Sequence, residues 1–190
     1  MGDGSWYDPD IDRVIVSEEQ VREKIEHLAK QVAADYSGVE SLLLVCILKG
    51  AIMFMADFSR AVGRVGPPVE LDFMAISSYG QRATSSGVVR ILKDLDRDIA
   101  GRHVLIVEDI VDSGLTLSWL MRYLESRSAA SVNVVALLRK PAAMKVAVPV
   151  KYVGFDIEPE FVVGYGLDYA ERYRDLPYVG VLKASVYRRS

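Results

Sequence analysis

Cysteine is almost absent from this chain. Cys46 stands alone among 190 residues, so no internal disulfide can form and nothing calls for an oxidising compartment. Long apolar runs are missing as well, and none approaches the ~20 residues that a membrane-spanning helix needs. No run of Lys or Arg occurs, and the net charge of −3 argues against a general nucleic-acid binder. Met1 to Asp10 contains neither a basic nor an apolar targeting region, so the expected location is cytoplasmic. Two glycine signatures are also lacking. Without Gly-x-Gly-x-x-Gly a dinucleotide site is weakened, and without Gly-x-x-x-x-Gly-Lys-Ser/Thr a Walker A loop is excluded. The rest is ordinary globular composition, 51% hydrophobic and 26% charged, in a length suited to one domain with a full core.

Patterning supplies the elements. Ser17-Glu-Glu-Gln20 is a capping box, and Val21, Ile25, Leu28, Ala29 and Val32 continue at helical spacing toward a stop near Ser37-Gly38. His27 lies off that stripe and reads as solvated. Leu42–Leu48 predicts a buried strand in which Cys46 is a small hydrophobe. A helix is expected from Gly50 to about Val62, closed by Gly63. Residues 69–77 and 88–92 predict strands flanking a polar, Gly-edged loop at 79–87. Residues 132–138, 152–156, 161–163 and 178–182 are further strand candidates. Strands alternating with helices predict an α/β fold with a parallel central sheet.

The most informative stretch is Val104-Leu-Ile-Val-Glu-Asp-Ile-Val-Asp-Ser-Gly-Leu-Thr116. Residues 104–107 read as a strand buried on both faces and 115–127 as the following helix, which puts the polar residues beyond a strand's carboxyl end, where open α/β sheets bind ligands. Two adjacent carboxylates, Glu108 and Asp109, cannot be buried bare. A ribose diol or a divalent cation would satisfy them, and hard oxygen ligands favour Mg²⁺. An exposed acidic turn is the plain alternative, weakened by the buried strand in front. Residues 112–116 set backbone N–H groups and two hydroxyls at a helix N-terminus, a phosphate cradle. Asp112 is surplus to phosphate binding. It is either a simple N-cap or a base able to exchange a proton.

This motif resembles the phosphoribosyl-pyrophosphate signature of the type I phosphoribosyltransferases. Leu48-Lys-Gly50, Ser78-Tyr-Gly80, Lys151-Tyr-Val-Gly-Phe-Asp156 and Phe161-Val-Val-Gly-Tyr-Gly-Leu-Asp-Tyr169, followed by Arg174-Asp-Leu176, resemble the hypoxanthine-guanine branch of that family in the same order. The resemblance covers residues 11–182. It implies one domain over 1–190: a central parallel sheet flanked by helices, with a small hood formed by the N-terminal segment and about 150–190. It implies purine salvage, in which hypoxanthine or guanine joins 5-phosphoribosyl 1-pyrophosphate to give IMP or GMP and pyrophosphate, with Mg²⁺ as cofactor.

The same resemblance assigns residues. Glu108, Asp109, Ile110, Val111, Asp112, Ser113, Gly114, Leu115 and Thr116 would hold the phosphoribosyl group, with Asp112 as general base at purine N7. Lys49, Gly50 and Arg174 would contact pyrophosphate, and Glu108, Asp109 and Asp168 the metal. Lys151, Phe161 and Val162 would bind the purine, Lys151 by donating to its 6-oxo group. Ser78 and Tyr79 would open a mobile loop that closes over the site and excludes water. A non-proline cis peptide is implied at Leu48-Lys49. A homodimer or homotetramer is implied, with the apolar helix at 51–62 as a candidate interface. Leu115 departs from relatives that carry a basic residue there, which leaves the phosphate to neutral donors and the helix end. Two rivals stay open: a regulator that senses phosphoribosyl pyrophosphate, disfavoured by the acidic balance, and a transferase for xanthine or a pyrimidine.

Overall fold

The computed structural model describes residues 9–78 and 89–187, with only the backbone of Ser78. The loop expected at 79–87, including Tyr79, lies outside the described residues. Strand β1 (Ile11–Val16) leads to α1 (Glu18–Asp35) through the capping box. Ser17 Oγ accepts from the Gln20 N–H at 3.2 Å, and Gln20 Oε1 accepts from the Ser17 N–H at 2.8 Å. The predicted stripe of α1 is buried and the helix stops before Tyr36. Next come β2 (Leu42–Leu48), α2 (Ile52–Val65), β3 (Val69–Ser78), β4 (Val89–Lys93), β5 (His103–Val111), α3 (Leu115–Glu125) and β6 (Ser131–Arg139). The chain ends with β7 (Tyr152–Asp156), β8 (Val162–Val163), β9 (Val179–Leu182) and α4 (Ala184–Tyr187).

Period-two alternation explains the layers. Leu42, Leu44 and Cys46 of β2 pack with α1 and α2 on one face, while Leu43, Val45 and Ile47 pack with α3 on the other. β5 divides in the same way, with Leu105 and Val107 facing α1 and α2 and Val104 and Ile106 facing α3. The six-stranded sheet runs β4-β3-β2-β5-β6-β7, parallel except for the antiparallel edge strand β4. A separate antiparallel sheet, β1-β9-β8, joins the two ends of the chain. Its Val162 and Val181 pack into the core that holds Leu138, near the carboxyl edge of the main sheet. This is the hood.

Two of the boundary shifts have a clear physical reason. α2 runs past Gly63 to Val65, and the Gly66 N–H closes it on the Val62 carbonyl at 2.7 Å. Gly63 faces solvent, where a missing side chain costs propensity but leaves no packing gap. β5 extends beyond the predicted 107 because Glu108, Ile110 and Val111 still pair with Ala136, Leu138 and Arg139 of β6. No helix among the described residues is long and apolar enough to cross a membrane.

Candidate active site

Glu108 and Asp109 sit inside β5 rather than past its end, so strand alternation sends them to opposite faces. Glu108 follows Ile106 toward α3 and lines a cleft of ≈ 130 Å³ with Ile110, Asp112, Ser113, Gly114 and Thr116. Asp109 follows Val107 toward the β2–α2 turn. A Cβ at Gly50 would overlap the Asp109 carboxylate, and one at Gly166 would overlap the Gly50 carbonyl, so these close approaches require glycine. The Leu48-Lys49 peptide in that turn is cis. Burial, and then the charge of Asp109, push Glu108 well above the usual carboxylate range. Burial raises Asp109 too, against the Ile110 N–H that donates to its Oδ1 at 2.8 Å.

The cradle forms because Gly114 turns the chain with φ +76° into α3. Ser113 Oγ accepts from the Leu115 N–H at 3.4 Å, and the Ser113 carbonyl accepts from Lys145 N–H at 2.9 Å. The loop is thus tied down from behind. No side chain caps α3 and its first turn has no acid, so its leading N–H groups and positive dipole end face the cleft.

Asp112 is exposed at the rim of this cleft, with Oδ2 3.6 Å from Nζ of Lys140. Lys140 is only 9% exposed, an unusual state for a lysine, and directly follows β6. The sequence reading missed it and chose Lys151 instead. Lys151 precedes β7, so it lies at the amino edge of the parallel sheet, away from the carboxyl edge that carries the other groups. There it pairs with Asp35 Oδ2 at 2.9 Å, beside the rings of Tyr36 and Tyr152. The structure therefore places Lys151 away from the groups at the carboxyl edge and sets Lys140 beside Asp112. The signal was present: Lys140 directly follows a buried strand, as Asp112 does.

Of the predicted pyrophosphate and metal residues, Arg174 meets Asp168 and Gly50 meets Asp109, while Glu108 lies on the other face of β5. Arg174 donates through NH1 to the Gly166 carbonyl at 2.7 Å, and its NH2 lies 2.9 Å from Asp168 Oδ1. Glu171, a second residue that sequence reasoning passed over, bridges Lys49 Nζ at 3.0 Å and Arg174 NH2 at 3.3 Å. Phe161 is partly exposed in the hood, stacked on Tyr187 at 5.0 Å and edge-on to Tyr169 at 5.8 Å. Val162 is buried in β8. A larger cavity of ≈ 350 Å³ lies between α1 and α2, lined by Arg22, Asp57, Arg60 and Tyr165 and by none of the predicted residues. Volume is a poor guide here, because the chemistry gathers at the strand ends.

A family model described as "Phosphoribosyl transferase domain" matches residues 15–170. The chain belongs to the phosphoribosyltransferase family. This phosphoribosyltransferase is 54% identical over 187 residues to the hypoxanthine-guanine phosphoribosyltransferase of Mycobacterium tuberculosis, covering 96% of this chain and 91% of that one. It superposes on the crystal structure of a hypoxanthine phosphoribosyltransferase from Staphylococcus aureus with a TM-score of 0.92 and 42% identity, covering 98% and 99% of the two chains. The hypoxanthine phosphoribosyltransferase of Trypanosoma cruzi, solved in complex with the product IMP, gives 0.88 and 43% over 93% and 97%.

Proposed function

We propose that this phosphoribosyltransferase joins hypoxanthine or guanine to 5-phosphoribosyl 1-pyrophosphate, giving IMP or GMP and pyrophosphate. The observation that carries this reading is the buried ammonium of Lys140 beside the exposed carboxylate of Asp112, at the mouth of the phosphate cradle. A purine placed there meets a donor for its 6-oxo group and an acceptor for its N7 proton. An amino group at C6, as in adenine, offers Lys140 no acceptor.

The remaining residues take ordered roles. The N–H groups and hydroxyls of 113–116 hold the 5′-phosphate. Glu108 and Asp109 accept from the ribose hydroxyls. As purine N9 bonds to C1′, the C1′–O bond to pyrophosphate breaks and its electron pair leaves with pyrophosphate. The N7 proton passes to Asp112. Positive charge builds on the ribose ring at the transition state, as in glycoside cleavage. Phe161 stacks on the purine and the backbone of Val162 reads its edge.

The donor set fits a hard divalent cation. Glu108, Asp109 and Asp168 offer carboxylate oxygens, and Asp109 is raised chiefly by burial, a cost to its charged form that a bound cation would offset. Among the described residues no three His, Cys, Asp or Glu side chains group to hold a metal by themselves, so substrate oxygens would have to complete its coordination. Bound there, Mg²⁺ would neutralise charge on the departing pyrophosphate. A cytoplasmic homodimer or homotetramer completes the reading, with the exposed Ile52 and Met53 of α2 as interface candidates.

A spectrophotometric assay with phosphoribosyl pyrophosphate, Mg²⁺ and hypoxanthine, guanine, xanthine, adenine or uracil tests it. Turnover with hypoxanthine or guanine and none with adenine or uracil is expected. No turnover with any base would point to a sensor of phosphoribosyl pyrophosphate, and turnover with xanthine alone would reassign the purine.

A further inference from the structure

Glu171 has no role in the scheme above, yet its carboxylate spans the two cations assigned to pyrophosphate. Oε2 lies 3.0 Å from Lys49 Nζ and Oε1 lies 3.3 Å from Arg174 NH2. Those cations come from different parts of the chain, one from the β2–α2 turn and one from the loop after Asp168, so a single carboxylate ties both sides of the site together. These contacts hold the Glu171 carboxyl below its ordinary range, Lys49 first and then Arg174. Its backbone is built for the position. Glu171 has φ +62° and Ala170 has φ +50°, a left-handed pair outside glycine, and the Glu171 N–H donates to Asp168 Oδ2 at 2.9 Å. Arg174 Nε is buried with no acceptor among the described residues, so the guanidinium keeps a spare donor even while Glu171 is bound.

We propose that Glu171 is an internal stand-in for pyrophosphate. It neutralises Lys49 and Arg174 when the site is empty, yields them to the pyrophosphate group of the substrate, and returns to displace pyrophosphate as product. This rests on the reading of Lys49 and Arg174 as pyrophosphate contacts. A purely structural brace would hold the same two side chains in place, but its loss would weaken anion binding. Loss of a competitor strengthens it. The sign of the effect separates the two. Both ends of the Lys49–Glu171 pair are well exposed, so the competition is modest in size.

The test is calorimetric titration of the full chain with inorganic pyrophosphate, with and without Mg²⁺, which needs no turnover. Glu171→Gln keeps the shape and removes the charge. It should bind pyrophosphate about two- to tenfold more tightly than the parent, with the gain fading as salt rises. It should also be inhibited by pyrophosphate at correspondingly lower concentration. Unchanged or weaker binding by Glu171→Gln, in protein whose melting temperature matches the parent, overturns the proposal. Lys49→Ala separates its failure from that of the underlying reading: it should weaken pyrophosphate binding about tenfold. If Lys49→Ala binds as the parent does, the pyrophosphate assignment itself is wrong. If Lys49→Ala weakens binding and Glu171→Gln does not tighten it, only the stand-in role falls.

Discussion

The two edges of the central sheet differ in which charges they leave buried. At the amino edge, charges close on one another. Lys151 and the Tyr152 hydroxyl both meet Asp35, Glu70 sits between Arg97 and Arg102, and His103 Nδ1 lies 2.8 Å from Ser131 Oγ. The shifted carboxyls there are lowered, Asp35 chiefly by Lys151 and Glu70 chiefly by Arg102. The carboxyl edge has closed pairs too, such as Arg139 with Asp156, but it also holds Glu108 and Asp109, raised by burial, and Lys140, buried next to an exposed Asp112. A satisfied ion pair is a structural feature. Charge that is buried and incompletely matched is held ready for a ligand, at a cost to the empty fold. The chemistry of a parallel sheet gathers at its carboxyl edge because the strand-to-helix loops and the helix N-termini lie there.

The strongest test of this contrast is Asp112→Asn. The amide keeps size and polarity but cannot take a proton, so turnover should fall by about 10²–10⁴-fold. Affinity for phosphoribosyl pyrophosphate should change little, since the phosphate is held by 113–116. Steady-state kinetics with the substrates varied in turn reads both numbers. Near-normal turnover would remove Asp112 from the chemistry.

The second test sets the two lysines against each other. Lys140→Ala strips the donor facing the 6-oxo group, and hydrogen bonds to charged groups are worth about 1.5–3 kcal/mol. kcat/KM for hypoxanthine and guanine should fall by about ten- to hundredfold, with the larger part in the purine KM. Lys151→Ala should leave all kinetic constants near the parent's. The reverse result would restore Lys151 to the site and break the edge argument.

That contrast also marks how far the sequence could be read. The capping box at Ser17, the stripe of α1 and the apolar β2 are local patterns, and each appears as expected. The cluster at 108–116 was legible because a strand, a turn and a helix end are contiguous there. Lys151 was misplaced because the resemblance set the purine lysine at the head of the segment 151–156. Strand polarity decides otherwise: a residue before a parallel strand lies at the amino edge, and one after it at the carboxyl edge. Glu171 was out of reach for a different reason. Its partner Lys49 is 122 residues away, and no periodicity links them. The end of α2 escaped too, since Gly63 carries the stop signal while the hydrogen bond that ends the helix comes from Gly66.

The smallest effect belongs to the amino edge and depends on pH. Asp35 is lowered by its hydrogen bonds from Lys151 and Tyr152. A carboxylate lowered in the folded state contributes stability that is fully present above its unfolded pKa of ~3.9 and is lost as pH falls through the folded value. Asp35→Asn should therefore lower Tm slightly at pH 7, by about a degree or two for a domain of this size, because the pair is exposed and screened. The difference from the parent should shrink between pH 7 and a pH below the lowered folded value, where Asp35 is protonated in both states. Thermal melts at the two pH values measure it, and activity at pH 7 should be unaffected. A gap between the proteins that stayed constant with pH would mean that Asp35 stabilises by packing or neutral hydrogen bonding, and that the amino edge is not held by charge.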